Sequence, residues 1–297
     1  MGYGSVFRPG LFDGQTVVIT GGGSGIGRCT AHELAALGAD VVIIGRTEEK
    51  LATVKAEIES DGGRCATYVC DIREETQVIA TIVAILAAHG RIDGLVNNAG
   101  GQYRAPLKTI STKGFEAVVR ANLTGGFVMM REVYTRWMET HGGTIVNMIA
   151  DIWNGWPNFA HSGAARGGML TLSESAASEW ARSGVRVNTV APGGIASSGF
   201  DSYSPEAKAS IRAYASKVPL QRFGTEAECS AAIVFLLSPA AAFITGVCIR
   251  IDGGTPNART TGDLIPHTNS RPFEGFHRAV PPKMLSETNP SGNAVSR

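Results

Sequence analysis

The chain has 297 residues, 43% of them apolar and 18% charged, with a formal net charge of +1. That composition suits a globular protein long enough to bury a sizeable core, as one large α/β domain or two small ones. It gives no electrostatic ground for a nucleic-acid or anionic-membrane partner, and no apolar run approaches the roughly 18 residues of a membrane span.

The N-terminal MGYGSVFRPG lacks the apolar stretch of a signal peptide, and Val6 breaks the acylation pattern begun by Gly2. The terminal AVSR matches no retention or peroxisomal address. The five cysteines (Cys29, Cys65, Cys70, Cys229 and Cys248) are odd in number and form no CxxC pair. They read as free thiols in a reducing compartment, with no metal site among them, so a cytoplasmic location is expected.

Short β-branched runs follow one another along the chain: TVVIT at 16–20, VVIIG at 41–45, ATYVC at 66–70, IDGLV at 92–96, TIVNMI at 144–149, VRVNTV at 185–190 and VCIRI at 247–251. Near-continuous apolar strands are what a parallel sheet covered on both faces requires. Between them, segments such as RCTAHELAALG and KLATVKAEIES space apolar residues by three and four, as amphipathic helices do. The alternation predicts a doubly wound α/β fold with seven parallel strands over residues 1–254. From 255 to 297 the chain is proline-rich and loses apolar periodicity, which predicts an irregular tail, either disordered or wrapped over the surface.

The first strand runs into Thr20-Gly21-Gly22-Gly23-Ser24-Gly25-Ile26-Gly27, and a helix opens at once. Glycines let the backbone approach a pyrophosphate, and the helix N-terminus offers unpaired N–H groups with a partial positive charge. Strand, glycine loop and helix in the first βα unit point to a dinucleotide site. The second strand ends in VVIIGRTEEK, where an acidic residue would bind the ribose hydroxyls of NAD. Arg46 and Thr47 stand there instead, and a guanidinium beside a hydroxyl suits a 2′-phosphate, so NADP(H) is the expected cofactor. The competing reading is an arginine that meets only solvent, and Glu48 and Glu49 would disturb the site.

These motifs, with Asp71-Ile72 after the third strand, NNAG at 97–100, Asn122 in ANLTG, APGGIASS at 191–198 and DGG at 252–254, resemble the short-chain dehydrogenase/reductase family over residues 12 to 254. The resemblance implies that Gly21, Ser24, Gly25, Ile26 and Gly27 hold the pyrophosphate. Asp71 would bond the adenine amino group beside the Ile72 backbone. Asn97, Asn98, Ala99 and Gly100 would support the adenosine side. Pro192, Gly193, Ile195 and Ser197 would hold the nicotinamide carboxamide. Asn122 would fix a water chain or a helix bend, and a homotetramer is implied.

Members of the family usually carry a Ser, a Tyr thirteen residues on and a Lys four after that. Here these positions hold Ile149, Ser162 and Arg166. NNAGGQY, REVYTRWMETHGGTIVN and HSGAARGG resemble the peroxisomal-type trans-2-enoyl-CoA reductases, a branch shared with the 2,4-dienoyl-CoA reductases. These enzymes use NADPH to reduce a C=C bond conjugated to a thioester. The dienoyl enzymes place a substitute Tyr eleven positions earlier, and this chain has Asp151 there.

Reducing an enoyl thioester needs a hydride at Cβ, donors for the developing enolate oxygen and a proton for Cα. Ser162 is the candidate donor to the thioester oxygen, and Arg166 the candidate cation at the nicotinamide ribose. Arg cannot relay a proton as Lys can. Tyr103, beyond the fourth strand, is the candidate acid, with a water as its competitor. His161 neighbours Ser162 but would face another direction on a helix. Asp151 reads as a base or, more simply, a capping residue. Without Tyr and Lys nothing obvious takes an alcohol proton, which favours C=C over C=O chemistry. A citronellol/citronellal-type dehydrogenase and a non-catalytic nucleotide-binding protein remain as alternatives.

In the segment SGFDSYSPEAKASIRAYASKVPLQRFG, Phe200 and Tyr203 are candidate apolar walls. Lys208, Arg212 and Lys217 are candidate partners for acyl-CoA phosphates or members of a solvated helix face. Trp153 and Trp156 either wall an acyl tail or pack under the loop.

Overall fold

Seven parallel strands form one sheet in the computed structural model, which describes residues 2–197, 199–200, 205–258 and 264–286. They are β1 (Thr16–Thr20), β2 (Asp40–Gly45), β3 (Arg64–Val69), β4 (Gly94–Asn97), β5 (Gly143–Met148), β6 (Val185–Pro192) and β7 (Cys248–Ile251), in the spatial order β3-β2-β1-β4-β5-β6-β7. Each begins within three residues of its predicted run. The order reverses between β1 and β4, and a doubly wound sheet opens its crevice at the carboxyl ends of the strands there.

Alternation along the strands divides the core in two. Val18, Val42, Ile44, Leu95 and Ile145 face α3 (Glu75–His89), α5 (Gly125–Val133) and α7 (Ala160–Trp180). Val17, Ile19, Val41, Ile43 and Val146 face α1 (Gly25–Ala36), α2 (Glu48–Ser60) and α9 (Glu226–Leu237). Most of these side chains are completely enclosed, and each such residue contributes about 1.5–3 kcal/mol of burial.

Two local features bear on the site. The helix following β4 runs from α4 (Thr112–Val119) through a π turn at Arg120–Thr124 into α5, and through a second at Tyr134–Met138 into α6 (Glu139–His141). A π turn inserts an extra residue and rotates the following side chains, and the first of these holds Asn122. At α9, Thr225 and Glu228 form a reciprocal capping box.

After β7 the described part of the tail lies against the body. Gly4 donates its N–H to the Gly275 carbonyl at 2.8 Å, Phe276 is buried beside Cys29 and Ala227, and Arg278 pairs with Asp61. Two helices, α8 (Pro205–Arg212) and α10 (Lys283–Ser286), meet where Arg212 Nε donates to the Met284 carbonyl at 2.8 Å. Tyr203 and Ser198 lie outside the described residues. Among the described residues, no helix is long and apolar enough to cross a membrane.

Candidate active site

The glycine loop leaves β1 and is braced from β4. Gly21 has φ +69°, and a Cβ there would lie 2.8 Å from Asn98 Nδ2 and 3.0 Å from the Ala99 Cα. Gly27, in the first turn of α1, is equally confined, by Asn98 Nδ2 and the Gly21 carbonyl. Asn98 closes the brace by donating to the Thr20 carbonyl at 3.0 Å, while Thr20 Oγ1 accepts from the Asn98 and Ala99 N–H groups. Ser24 precedes α1 without a side-chain cap, and the first turn of that helix carries no acidic residue of its own. The free N–H groups of Gly25, Ile26 and Gly27 therefore form a pocket suited to a diphosphate.

At the adenosine end Arg46 is exposed beyond β2, and Thr47 starts α2 with no side-chain cap. The expected adenine acceptor, Asp71, is already engaged. Arg73 donates to both carboxylate oxygens, with Nη2 at 2.5 Å, and holds this carboxyl below its ordinary range, with Arg46 adding to the effect. Arg73 is thus part of this corner, and only its position next to Ile72 could have suggested it. Ile72 is buried against Gly125 at the start of α5. Asn97 also turns inward, its amide donating to the Gly126 carbonyl and to Asn147 Oδ1.

The other side of the crevice is built from the end of β6. The Pro192 carbonyl accepts from the Asp151 N–H, and the Gly193 N–H donates to the Ile251 carbonyl. A Cβ at Gly193 would fall 2.9 Å from the Asp252 Cα. Ile195 is buried and bridges to Gly224, and the Ser197 carbonyl accepts from the Phe200 N–H. Burial and the nearby Asp252 carboxylate raise the carboxyl of Asp151 above its ordinary range.

Between these walls Arg166, on α7, is enclosed. One guanidinium nitrogen, Nη1, donates to the Met148 carbonyl at the end of β5, and Nε has no partner. No carboxylate pairs with it among the described residues, and burial lowers it from 12.5 to about 10, still cationic at neutral pH. Its Nη2 and Asn122 Oδ1 converge on Gly100, where a Cβ would lie 2.6 Å and 2.4 Å from them. Asn122 clamps the next residue on both sides, accepting from the Gly101 N–H at 2.9 Å and donating to its carbonyl at 2.8 Å.

One helical turn before Arg166, Ser162 is fully buried and donates to Gln102 Oε1 at 2.7 Å. Gln102 stands in the NNAGGQY motif but was not among the sequence candidates. Tyr103 turns the other way. Its hydroxyl passes the first turn of α4, 2.2 Å from where a Gly114 Cβ would be, and its ring meets His161 edge-on at 4.5 Å. His161 is buried with both ring nitrogens unpartnered. The structure thus brings Asn122, Gly100, Arg166 and Ser162 together and directs the Tyr103 hydroxyl toward α4. Ile149, expected from the resemblance at the place of the usual Ser, is a buried core residue.

The tryptophans pack: Trp153 lies under the Arg250 guanidinium at 5.3 Å, and Trp156 leans on Phe159. Phe200 meets Phe223 edge-on at 5.4 Å. Lys208 is partly buried and Lys217 exposed, while Arg212 reaches the tail as described.

A family model described as enoyl-(acyl carrier protein) reductase matches residues 21–256. The chain belongs to the short-chain dehydrogenase/reductase family. It is 36% identical over 256 residues to the peroxisomal 2,4-dienoyl-CoA reductase [(3E)-enoyl-CoA-producing] of Danio rerio, covering 85% of each chain. Among solved structures, the citronellol catabolism dehydrogenase AtuB of Pseudomonas aeruginosa PAO1 is 56% identical, with a TM-score of 0.77 over 86% of this chain and 100% of that one. A structure from Beutenbergia cavernae with bound NADP is 33% identical, with a TM-score of 0.78 over 84% of this chain and 100% of that one. The protein is therefore an oxidoreductase of a family that uses a nicotinamide cofactor.

The residues present fit such a cofactor. The glycine loop is a cradle that Cβ atoms would fill, and Arg166 is a buried cation with an orphaned N–H.

Proposed function

We propose that the protein is an NADPH-dependent reductase of trans-2-enoyl-CoA or a similar conjugated acyl substrate. The observation that carries this reading is the donor set on α7, a buried hydroxyl at Ser162 and a fixed, carboxylate-free cation at Arg166. These groups hold and polarise, and neither exchanges a proton readily near neutral pH.

When bound, the cofactor supplies the hydride. Gly21, Ser24, Gly25, Ile26 and Gly27 would hold its diphosphate, and Arg46 with Thr47 the 2′-phosphate. Asp71, Ile72 and Asn97 to Gly100 would frame the adenosine side. Pro192, Gly193, Ile195 and Ser197 would hold the carboxamide. Arg166 would occupy the nicotinamide ribose, its position fixed by the Met148 carbonyl and by the gap at Gly100. Hydride addition at Cβ would send the alkene electron pair through the thioester to its oxygen, and Ser162 would stabilise that enolate once its hydroxyl proton turns from Gln102 Oε1. Cα would then take its proton from solvent, since the Tyr103 hydroxyl lies against α4 and not beside Ser162. Asn122 fixes the loop carrying Gly101 and Gln102. In this reading the protein acts in the cytoplasm as a homotetramer, which light scattering on the purified protein would test.

A second reading rests on the 56% identity to the citronellol catabolism dehydrogenase, namely alcohol–aldehyde interconversion on an acyclic terpenoid. NADPH oxidation with a trans-2-enoyl-CoA and with an aldehyde of equal length separates the two. Turnover of the thioester alone supports the first, and turnover of the aldehyde alone replaces it with the second.

A further inference from the structure

The first turn of α1 has a neighbour that no family motif announced. Glu226 opens α9, which packs along α1, and its Oε1 lies 3.9 Å from where a Cβ on Gly25 would be. Its side chain is buried, and among the described residues no side chain donates a hydrogen bond to its carboxylate. The tail completes the enclosure, with Phe276 packed on Cys29, Ala227 and the Arg28 guanidinium, the last at 4.9 Å from its ring.

We propose that Glu226 makes dinucleotide affinity proton-dependent: neutral, it leaves the N-terminus of α1 free to receive the pyrophosphate, and ionised, it opposes the same phosphates at close range.

The groups around it leave this carboxyl uncompensated. From α1, Arg28 is the nearest cation, but Glu57 already takes two of its N–H groups, at 2.8 and 2.9 Å. Cys29 is a buried thiol pushed above its usual range. Glu33 is buried under donors from Tyr3, Ser5 and Ser230. On α9 itself, Glu228 is paired with Arg222, and Cys229 is a buried thiol. From the tail, His277 and Arg278 are turned to Asp61. Burial therefore outweighs the attraction of Arg28 and pushes Glu226 up to about 7. A bound diphosphate would raise it further, so binding takes up a proton.

The test rests on the dinucleotide reading and uses cofactor binding, not turnover. NADPH is titrated into wild-type protein and E226Q by fluorescence from roughly pH 6 to pH 8. Wild-type affinity is expected to weaken on the order of tenfold with rising pH, while E226Q stays tight. The 2′-phosphate titrates in both proteins, so the difference between the curves belongs to Glu226. Calorimetry of the wild type with NADH, which carries no 2′-phosphate, in buffers of different ionisation enthalpy should also show proton uptake near pH 7, which decides the matter even if E226Q folds poorly. Parallel pH curves, or binding without proton uptake, would overturn the proposal and leave the cofactor reading intact. Failure of the wild type to bind NADPH or NADH at any pH would overturn both.

Discussion

Replacing Arg166 by Met separates a structural arginine from one held for a ligand. The side chain is 9% exposed, makes one hydrogen bond to the Met148 carbonyl and has no carboxylate partner among the described residues. Its fall from 12.5 to about 10 corresponds to about 3 kcal/mol of unfavourable burial of the charged form. The lost hydrogen bond to the carbonyl offsets about 1.5–3 kcal/mol of that, and Met fills most of the volume. Without cofactor, R166M should therefore be as stable as the wild type or up to about 1.5 kcal/mol more stable. With cofactor the sign reverses, because a buried cation aimed at a ligand works only when the ligand is present, and NADPH affinity should fall about 10- to 100-fold. Urea denaturation of the cofactor-free protein and fluorescence titration of NADPH supply the two numbers. An R166M protein destabilised by more than about 2 kcal/mol, with cofactor affinity unchanged, would show that Arg166 serves the fold alone.

Arg46→Ala should weaken NADPH about tenfold or more and leave NADH within about twofold, read as two dissociation constants, because only the former carries a 2′-phosphate. Gly100→Ala drives a methyl into Asn122 Oδ1 and Arg166 Nη2; turnover should drop at least about tenfold, with circular dichroism unchanged. Asp61 is held down at about 2 by Arg278 first and His277 next, so its stabilising effect exists above the ordinary value of 3.8 and is lost as pH falls toward 2. Asp61→Asn should therefore loosen the tail at neutral pH, seen as faster proteolysis after position 263, and this difference from the wild type should vanish on acidification through that window.

The strands were legible because each carries its own signal. TVVIT or VVIIG is apolar on both faces, and only a covered parallel sheet buries both. The glycine loop was legible for the same reason, since its letters, strand and helix are contiguous. At Asn122 the resemblance implied a water chain or a helix bend, but nothing in ANLTG itself marks the π turn that makes the bend. Partners distant in sequence were equally hidden. Gln102 meets Ser162 across 60 positions, and Glu226 reaches Gly25 only because α9 crosses α1. Arg73 was overlooked for a different reason: two residues from Asp71, it looks like any charged surface residue until the turn after β3 folds it back.

If Ser162 and Arg166 stand at the family's Tyr and Lys positions, as the resemblance implies, more changes than the source of a proton. A Lys ammonium can shed its proton inside a pocket, whereas Arg166 remains charged even after burial has lowered it to about 10. Helix α7 therefore presents a permanent positive charge beside a hydroxyl whose proton is directed at Gln102. On the enoyl reading the cation would stabilise negative charge developing on a substrate oxygen, and the hydroxyl would join it by exchanging Gln102 for that oxygen. Alcohol oxidation must instead remove a hydroxyl proton, and on this helix that would fall to a buried serine bonded to Gln102, while the neighbouring His161 packs on Tyr103. Of the remaining candidates, Asp151 carries a carboxyl raised above its ordinary range and follows β5 directly, so Asp151→Asn is the informative variant. If the aldehyde reading holds, D151N should lose oxidation of the alcohol by at least about 100-fold while keeping NADPH affinity. If the enoyl reading holds, thioester reduction should survive it within about threefold, because no step of that reaction needs a protein base.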